Sequence, residues 1–346
     1  MTSPEKKPNG FFQPLTKLIT RWEVQLFIIT LLVLFFGQFL SPHFLKLNNQ
    51  FENTNNFVDI GLMALAMSFI IVTGNIDLSV ASNLGMSTVS MALLFQAGVP
   101  IWIAVGIGLL VGAVGGLFNG ILVGVVKLPA LVATLATYSL YRGIAYTMIR
   151  DLWVGNFPDQ FTAIGQQNIP GTSIPNSLIL FALFVVIFYI IFHRSTLGRY
   201  LFAIGQNEDA CRYSGVQVDK IKILIFTISG FMAAMAGMVI VSKFGTIRAD
   251  IATGYELTVI TAVVLGGILT IGGVGTLPGV IISLFLVGEL RLLMNLMNVK
   301  GQIQQIAFGL LLIISILMPR VINIIRSRQR TRQIQQELQK PTQING

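Results

Sequence analysis

IWIAVGIGLLVGAVGGLFNGILVG, residues 101–124, runs its whole length without a charged side chain. An α-helix needs roughly 20 apolar residues to cross the hydrocarbon core of a bilayer, and this stretch is long enough. Its glycines recur at three- and four-residue spacing, which lets membrane helices approach closely. Working outward, further apolar spans occur at 24–40, 57–73, 80–97, 130–149, 178–192, 223–242, 257–272, 277–297 and 301–318. Gly and polar residues interrupt 80–97 and 257–272. The pattern predicts an all-α membrane protein, a polytopic bundle of about ten transmembrane helices with broken helices near a pore.

Composition agrees. The 346 residues are 54% hydrophobic and only 11% charged, with mean hydropathy +0.77; soluble domains carry about 25% charge. The first span, Val24–Leu40, is longer than a signal-peptide core, and no small-x-small cleavage site follows it, so it is expected to stay as a membrane helix. Cys211 is the single cysteine, which excludes an intrachain disulfide. With two histidines and one cysteine, no metal site or cofactor is expected.

The net charge of +9 reads as sidedness rather than as nucleic-acid binding. With a cytoplasmic N-terminus, ten spans leave 1–23, 125–129, 193–222 and 319–346 inside. These segments carry sixteen of the 23 Lys and Arg residues; the outer loops carry five, Lys46, Arg150, Lys243, Arg248 and Lys300. That bias follows the positive-inside rule. The division is then a cytoplasmic segment 1–23, a membrane domain 24–318 with an external loop at 150–177 and an interior loop at 193–222, and a basic cytoplasmic tail at 319–346, for which lipid phosphates suffice as partners. The external loop either contacts something outside or is a plain connector.

Two breaks interrupt the apolar background. At 72–83, VTGNIDLSVASN places Asn75, Asp77 and Ser79 at membrane depth. Irregular backbone there must be buried in protein or line a water-filled cavity, and an intramembrane acid faces a cavity or a partner. Asp77 is placed to cap a half-helix beginning near Leu78, and Asn75, Asp77 and Ser79 are candidates for lining a substrate pathway. At 265–279, LGGILTIGGVGTLPG carries Gly266, Gly267, Gly272, Gly273 and Gly275. Gly-interrupted segments in two halves point to a transporter's central pathway, or simply to close helix packing. Of the remaining intramembrane charges, Glu289 and Arg291 are two apart and do not share a helix face; each needs a partner elsewhere, as does Arg142.

The interior loop writes a very short helix near 208–214. Asn207 can cap it, Glu208 and Asp209 fill its first turn, Arg212 lies near its end and Gly215 supplies a stop, which matches the cap and dipole rules. Such a helix is marginal alone and must dock, either on the chain's own membrane helices or on a partner. No P-loop, HExxH, GxSxG or CxxC occurs, so the chain is not expected to be an enzyme, and uphill transport must draw energy from an ion gradient or another subunit.

GNIDLSVAS at 74–82, STLGRYLFAIGQNEDACRYSGV at 195–216 and ELTVITAVVLGGILTIGGVGTLPG at 256–279, in this order, resemble the ribose-type sugar permeases, the membrane subunits of ATP-binding-cassette importers for ribose, xylose, arabinose, rhamnose and autoinducer-2-like sugars. The likeness covers Trp22 to about Pro319. It implies two permease copies, or a permease and a sister, forming one pore in the inner membrane. It also implies cytoplasmic ATPase subunits beneath and an extracytoplasmic sugar-binding protein above. It implies a coupling element at 198–216, with Gly198, Arg199, Gly205, Asn207, Ala210 and Gly215 matching the pattern and Glu208 in its first turn. Cys211 stands where the family usually has a second Ala, and Asn75 replaces the second Gly of GGIDLS. The rival reading is an ion-coupled secondary transporter using Asp77 and Glu289, which leaves the basic interior loop unexplained.

Overall fold

The computed structural model describes residues 21–150, 153–248 and 250–317; the basic tail and most of the N-terminal segment lie outside the described residues. The described chain is a helical bundle. Its helices are α1 (Trp22–Leu40), α2 (Leu47–Val72), α3 (Val80–Gln96), α4 (Ile101–Gly124), α5 (Ala130–Ile149), α6 (Asp159–Gln166), α7 (Asn176–Arg194), α8 (Thr196–Gln206), α9 (Glu208–Tyr213), α10 (Val218–Phe244), α11 (Tyr255–Leu265), α12 (Leu277–Leu296) and α13 (Gly301–Leu317). Six of them, α1, α2, α4, α7, α10 and α12, are long and apolar enough to cross a membrane. Each expected span overlaps a helix, though not always over its full length. Four helices start directly after a proline, at Pro100, Pro129, Pro158 and Pro175, a residue that cannot continue a preceding helix.

The centre is α2. From Phe57 to Val72 every residue is buried, and α7, α10, α11 and α12 pack around it. The tightest pair is α4 against α10. Gly112, Gly116, Gly120 and Gly124 form one stripe on α4 and meet the backbone of α10 at Gly230, Phe226, Ile223 and Asp219. A Cβ on Gly120 would lie 2.7 Å from the Ile223 Cα, and one on Gly116 would clash with the Phe226 carbonyl oxygen. Glycine is therefore the only residue that lets these backbones touch, and in lipid that contact replaces the missing hydrophobic drive between helices.

Two expectations are corrected. The span at 257–272 stops at Leu265: α11 has 11 residues, about 16 Å of helix and half of the hydrocarbon core. Gly267, Gly272, Gly273 and Gly275 then take positive φ, and the chain folds as turns until Thr276 caps α12 by accepting from Gly279 N at 3.4 Å. The span at 57–73 starts earlier, at Leu47, because the polar run LNNQFENTNN continues the helix. The loop 150–177 has local structure of its own. It carries α6, and Val154 and Gly155 (β1) pair antiparallel with Ile247 and Thr246 (β2).

Candidate functional site

The first break runs from Thr73 to Ser79, between α2 and α3. Asp77 is 2% exposed. Its Oδ1 accepts from the Ser79 amide at 2.9 Å and the Ser79 hydroxyl at 2.7 Å. Its Oδ2 accepts from the Ser229 hydroxyl of α10 at 3.0 Å. Asn119 of α4 donates to Ser79 Oγ at 2.7 Å. The bond from the Ser79 amide is the cap expected of Asp77 for a turn beginning at Leu78; regular α3 starts at Val80, and Ser79 makes no side-chain cap bond of its own. Asp77 and Ser79 thus share one buried network. Asn75 stands apart, half-buried, and donates back to the Thr73 carbonyl and hydroxyl at 3.2 and 3.0 Å.

Asn119 and Ser229 were missed by the sequence reading. Asn119 carried a signal as the lone polar residue of an apolar span, whereas Ser229 shares its span with Thr227 and Ser242 and does not stand out. Above the network, Asn83 donates to the Gly112 carbonyl at 2.9 Å and Tyr141 to the Gly115 carbonyl at 2.7 Å. Among the described residues, the Oδ1 atoms of Asn83 and Asn119 are buried without a hydrogen bond, so the break holds acceptor capacity the protein does not use.

The second break meets the first. Gly273 N donates to the Val72 carbonyl oxygen at 2.7 Å, joining the last residue of α2 to the turn after α11. The C-terminus of α8 completes a three-way junction. Gln206 Nε2 donates to the Gly273 carbonyl at 3.0 Å, and Gly205 lies so close that any Cβ on it would collide with Val72 O and Gly273 N. A Cβ on Gly272 would lie 2.9 Å from both Gly205 Cα and Gly74 N. Three segments far apart in sequence are therefore in backbone contact through glycines.

The other glycines of the second break serve the α11–α12 turn. A Cβ on Gly266 would lie 2.5 Å from the Val280 Cα, and Gly275 packs on Ile268. Gly267 lies under Trp22, whose indole donates to Leu265 O at 2.8 Å.

From the junction the chain runs into α9. Asn207 Oδ1 accepts from Ala210 N at 2.9 Å, the expected cap, and Gly215 ends the turn at φ +83°. Gly198 packs against the end of α7, where Ser195 caps α8 by accepting from its amide at 3.1 Å. Arg199 is exposed and donates to Thr196 at 3.0 Å.

One face of α9 is docked on its own protein. Cys211 is buried with Ile204 and Val218. Glu208 accepts from Arg212 and from Lys222, both at 2.7 Å, while Asp219 accepts from Arg212 at 2.6 Å and pairs with Lys127. Burial alone raises the Glu208 carboxyl, but the hydrogen bonds and charges of Lys222 and Arg212 outweigh it and hold the group below the usual glutamate range. The other face is open: Asn207, Asp209 and Ala210 are exposed, and Tyr213 is 92% exposed.

Residues 49–316 match the family of the branched-chain amino acid transport system / permease component. Similar curated proteins include the autoinducer 2 import system permease protein LsrD of Klebsiella pneumoniae subsp. pneumoniae, 34% identical over 308 residues, covering 87% of this chain and 92% of that protein. The protein of the same name from Yersinia enterocolitica is 36% identical over 301 residues, covering 85% and 90%. That from Photorhabdus temperata is 33% identical over 302 residues, covering 85% and 90%. No solved structure gives a significant match.

Proposed function

The chain belongs to the branched-chain amino acid transport system / permease component family, and from that premise we propose that it carries a small sugar-like solute through the membrane, driven by ATPase subunits that dock on α9. That it is a permease subunit of an ATP-binding-cassette importer, and not an enzyme, follows from family membership and from relatives that are permeases of an import system. The cargo is our inference: the relatives are named for autoinducer 2 import, and the three motifs resemble those of sugar permeases. A small hydroxylated solute delivered by an extracytoplasmic binding protein fits both.

The observation that carries the mechanism is the three-way glycine junction. A push on the open face of α9 reaches Gly205 through one turn of chain, and Gly205 touches both breaks at once. The breaks are the segments that could open a pathway, so movement at the ATPase would alter it. In this proposal Asn75, Asp77 and Ser79 come to line the pathway when α2 and α3 shift, and the Ser229 and Asn119 bonds close it in the arrangement described. The fuller topology belongs to the same proposal: ten crossings, both termini cytoplasmic, 193–222 facing the ATPase, and two permease copies or a permease and a sister forming the pore.

The test is uptake of radiolabelled pentoses, hexoses, deoxyhexoses and a furanosyl signal in a strain lacking its own sugar importers. The chain is expressed with its binding protein, with and without the ATPase partner. Uptake of at least one solute that requires the ATPase supports the reading; no uptake across the panel, with the complex assembled, rejects it.

A further inference from the structure

A cavity of about 300 Å³ opens at the end of the bundle opposite α9, between the start of α11 and the facing ends of α12 and α13. The separation follows from α10, whose 27 residues span about 40 Å from α9 to the loop that leads into α11. The cavity lies far from the pathway break and from the glycine junction, and the function proposed above does not use it.

Its lining is unusually polar for a membrane helix bundle. The Arg291 guanidinium sits between two aromatic rings, 5.7 Å from the Tyr255 centroid and 5.5 Å from the Phe308 centroid. Among the described residues no carboxylate lies within 4.0 Å of it. Glu289, two residues away, is engaged on another face by Gln50 and Asn53, both at 3.1 Å. Gln304 donates to Asn295 Oδ1 at 2.7 Å and to Val299 O at 2.9 Å. Those bonds use its amide hydrogens and leave Gln304 Oε1 and the Asn295 NH₂ without a protein hydrogen bond among the described residues. Gln305 borders the same opening.

The Arg291 charge acts on the buried Asp59 of α2, an acid it shares with Lys243. With no direct ion pair among the described residues, its guanidinium stays open to the cavity, and intramembrane charges that face a cavity mark solute pathways. The geometry points to a binding site for an uncharged, polyhydroxylated solute of monosaccharide size, an outer receiving site for the cargo. The volume is at the small end of ligand clefts. The groups supply both donors and acceptors, which hydroxyls satisfy and an anion, accepting only, would not. A guanidinium fixed between rings offers two parallel donors to a pair of neighbouring hydroxyls, and the rings offer flat apolar walls to a sugar's C–H face.

This site rests on the sugar-permease reading, and its test separates the two. The full chain carrying Cys211→Ala and Gln305→Cys is reconstituted in nanodiscs and labelled with a maleimide in D-ribose, D-xylose, L-arabinose or L-rhamnose. At least one sugar is expected to slow labelling at 305 and to leave a Tyr213→Cys reporter at the other end unaffected. Arg291→Gln should raise the half-protecting concentration about tenfold or more, the effect of losing one charged hydrogen-bonding group. Asn295→Ala gives the same readout should the Arg291 variant not reach the membrane. No protection up to about 100 mM of any of the four, weaker than a millimolar site by orders of magnitude, or equal protection with and without Arg291, overturns the site. ATPase-dependent uptake without protection would sink the site alone. Protection without uptake would sink the importer reading and leave a sugar site standing.

Discussion

Gly205→Ala should break coupling between ATP hydrolysis and transport. Gly205 sits in the last turn of α8, where helix propensity alone favours Ala by about 0.5–1 kcal/mol. The junction reverses that sign. A Cβ there falls well inside 3.0 Å of both Val72 O and Gly273 N, and 3.0 Å from the Gly273 Cα. Both neighbours that must yield are backbone, so no side chain can rotate away. Relief needs a shift of roughly 1 Å, and overpacking of that kind costs about 1–3 kcal/mol. The same shift pulls apart the 2.7 Å bond from Gly273 N to Val72 O, whose loss leaves buried groups unpaired at about 1–3 kcal/mol.

The net is roughly 1–5.5 kcal/mol against the joined arrangement, and its middle exceeds the 1.4 kcal/mol that represents tenfold. The assay is solute-stimulated ATPase activity and uptake in proteoliposomes. Stimulation should fall at least tenfold while basal hydrolysis by the ATPase subunits persists. Gly106→Ala is the control, since nothing lies within 4 Å of its Cβ position; it should leave coupling and melting temperature unchanged or raise the latter slightly. Equal stimulation in Gly205→Ala and Gly106→Ala would refute the junction as the link.

Three further outcomes are expected. Gly116→Val forces α4 away from α10 along the glycine stripe and should lower the melting temperature of the purified chain by several degrees or prevent its accumulation, whereas Gly143→Val, with open space at its Cβ, should do neither. Asp77→Ala removes the acceptor of three hydrogen bonds and should destabilise the chain by about 3 kcal/mol or more; Ser229→Ala, which removes one of them, should cost about 1–2 kcal/mol, read by thermal denaturation in detergent. The Glu208 carboxyl is held below its ordinary range in the folded chain, so its contribution is complete above the unfolded value near 4.5 and fades as pH falls through the lower folded value. With about a third of the side chain exposed, screening limits that contribution to roughly 1 kcal/mol, and Glu208→Gln should remove this acid sensitivity of the α9 region in proteolysis or hydrogen exchange.

Helix positions were legible because lipid imposes a simple rule. A span of apolar residues must become a helix to satisfy its own backbone, and prolines mark where helices begin. The α9 cap was legible for a related reason: Asn207, Glu208, Arg212 and Gly215 are local signals whose meaning does not depend on the rest of the fold. The short reach of α11 was not. Leu265–Ile271 is apolar enough to continue a helix, and only the positive φ of Gly267, Gly272 and Gly273 ends it. Hydropathy cannot register a backbone angle. The local bond of Asp77 to the Ser79 amide was legible, but its second partner Ser229 lies 152 residues away and no local pattern names it.

The junction explains why glycines that look like packing filler in the sequence differ in consequence. Gly106 and Gly143 face open space, and a side chain there meets nothing. Gly205, Gly272 and Gly273 hold three backbones in contact, one from each of the segments that stand out on separate grounds: a polar interruption, a glycine-rich interruption and a capped helix outside the apolar spans. Had the two breaks been structural kinks only, nothing would require the α8–α9 segment to touch both. Their contact makes a rigid path, since backbone against backbone cannot relax by changing rotamer. A displacement of α9 must therefore either move the ends of α2 and α11 together or break the Val72–Gly273 bond. The coupling proposed here needs the first behaviour, and the close approach that the proposal relies on requires that position 205 carry no side chain.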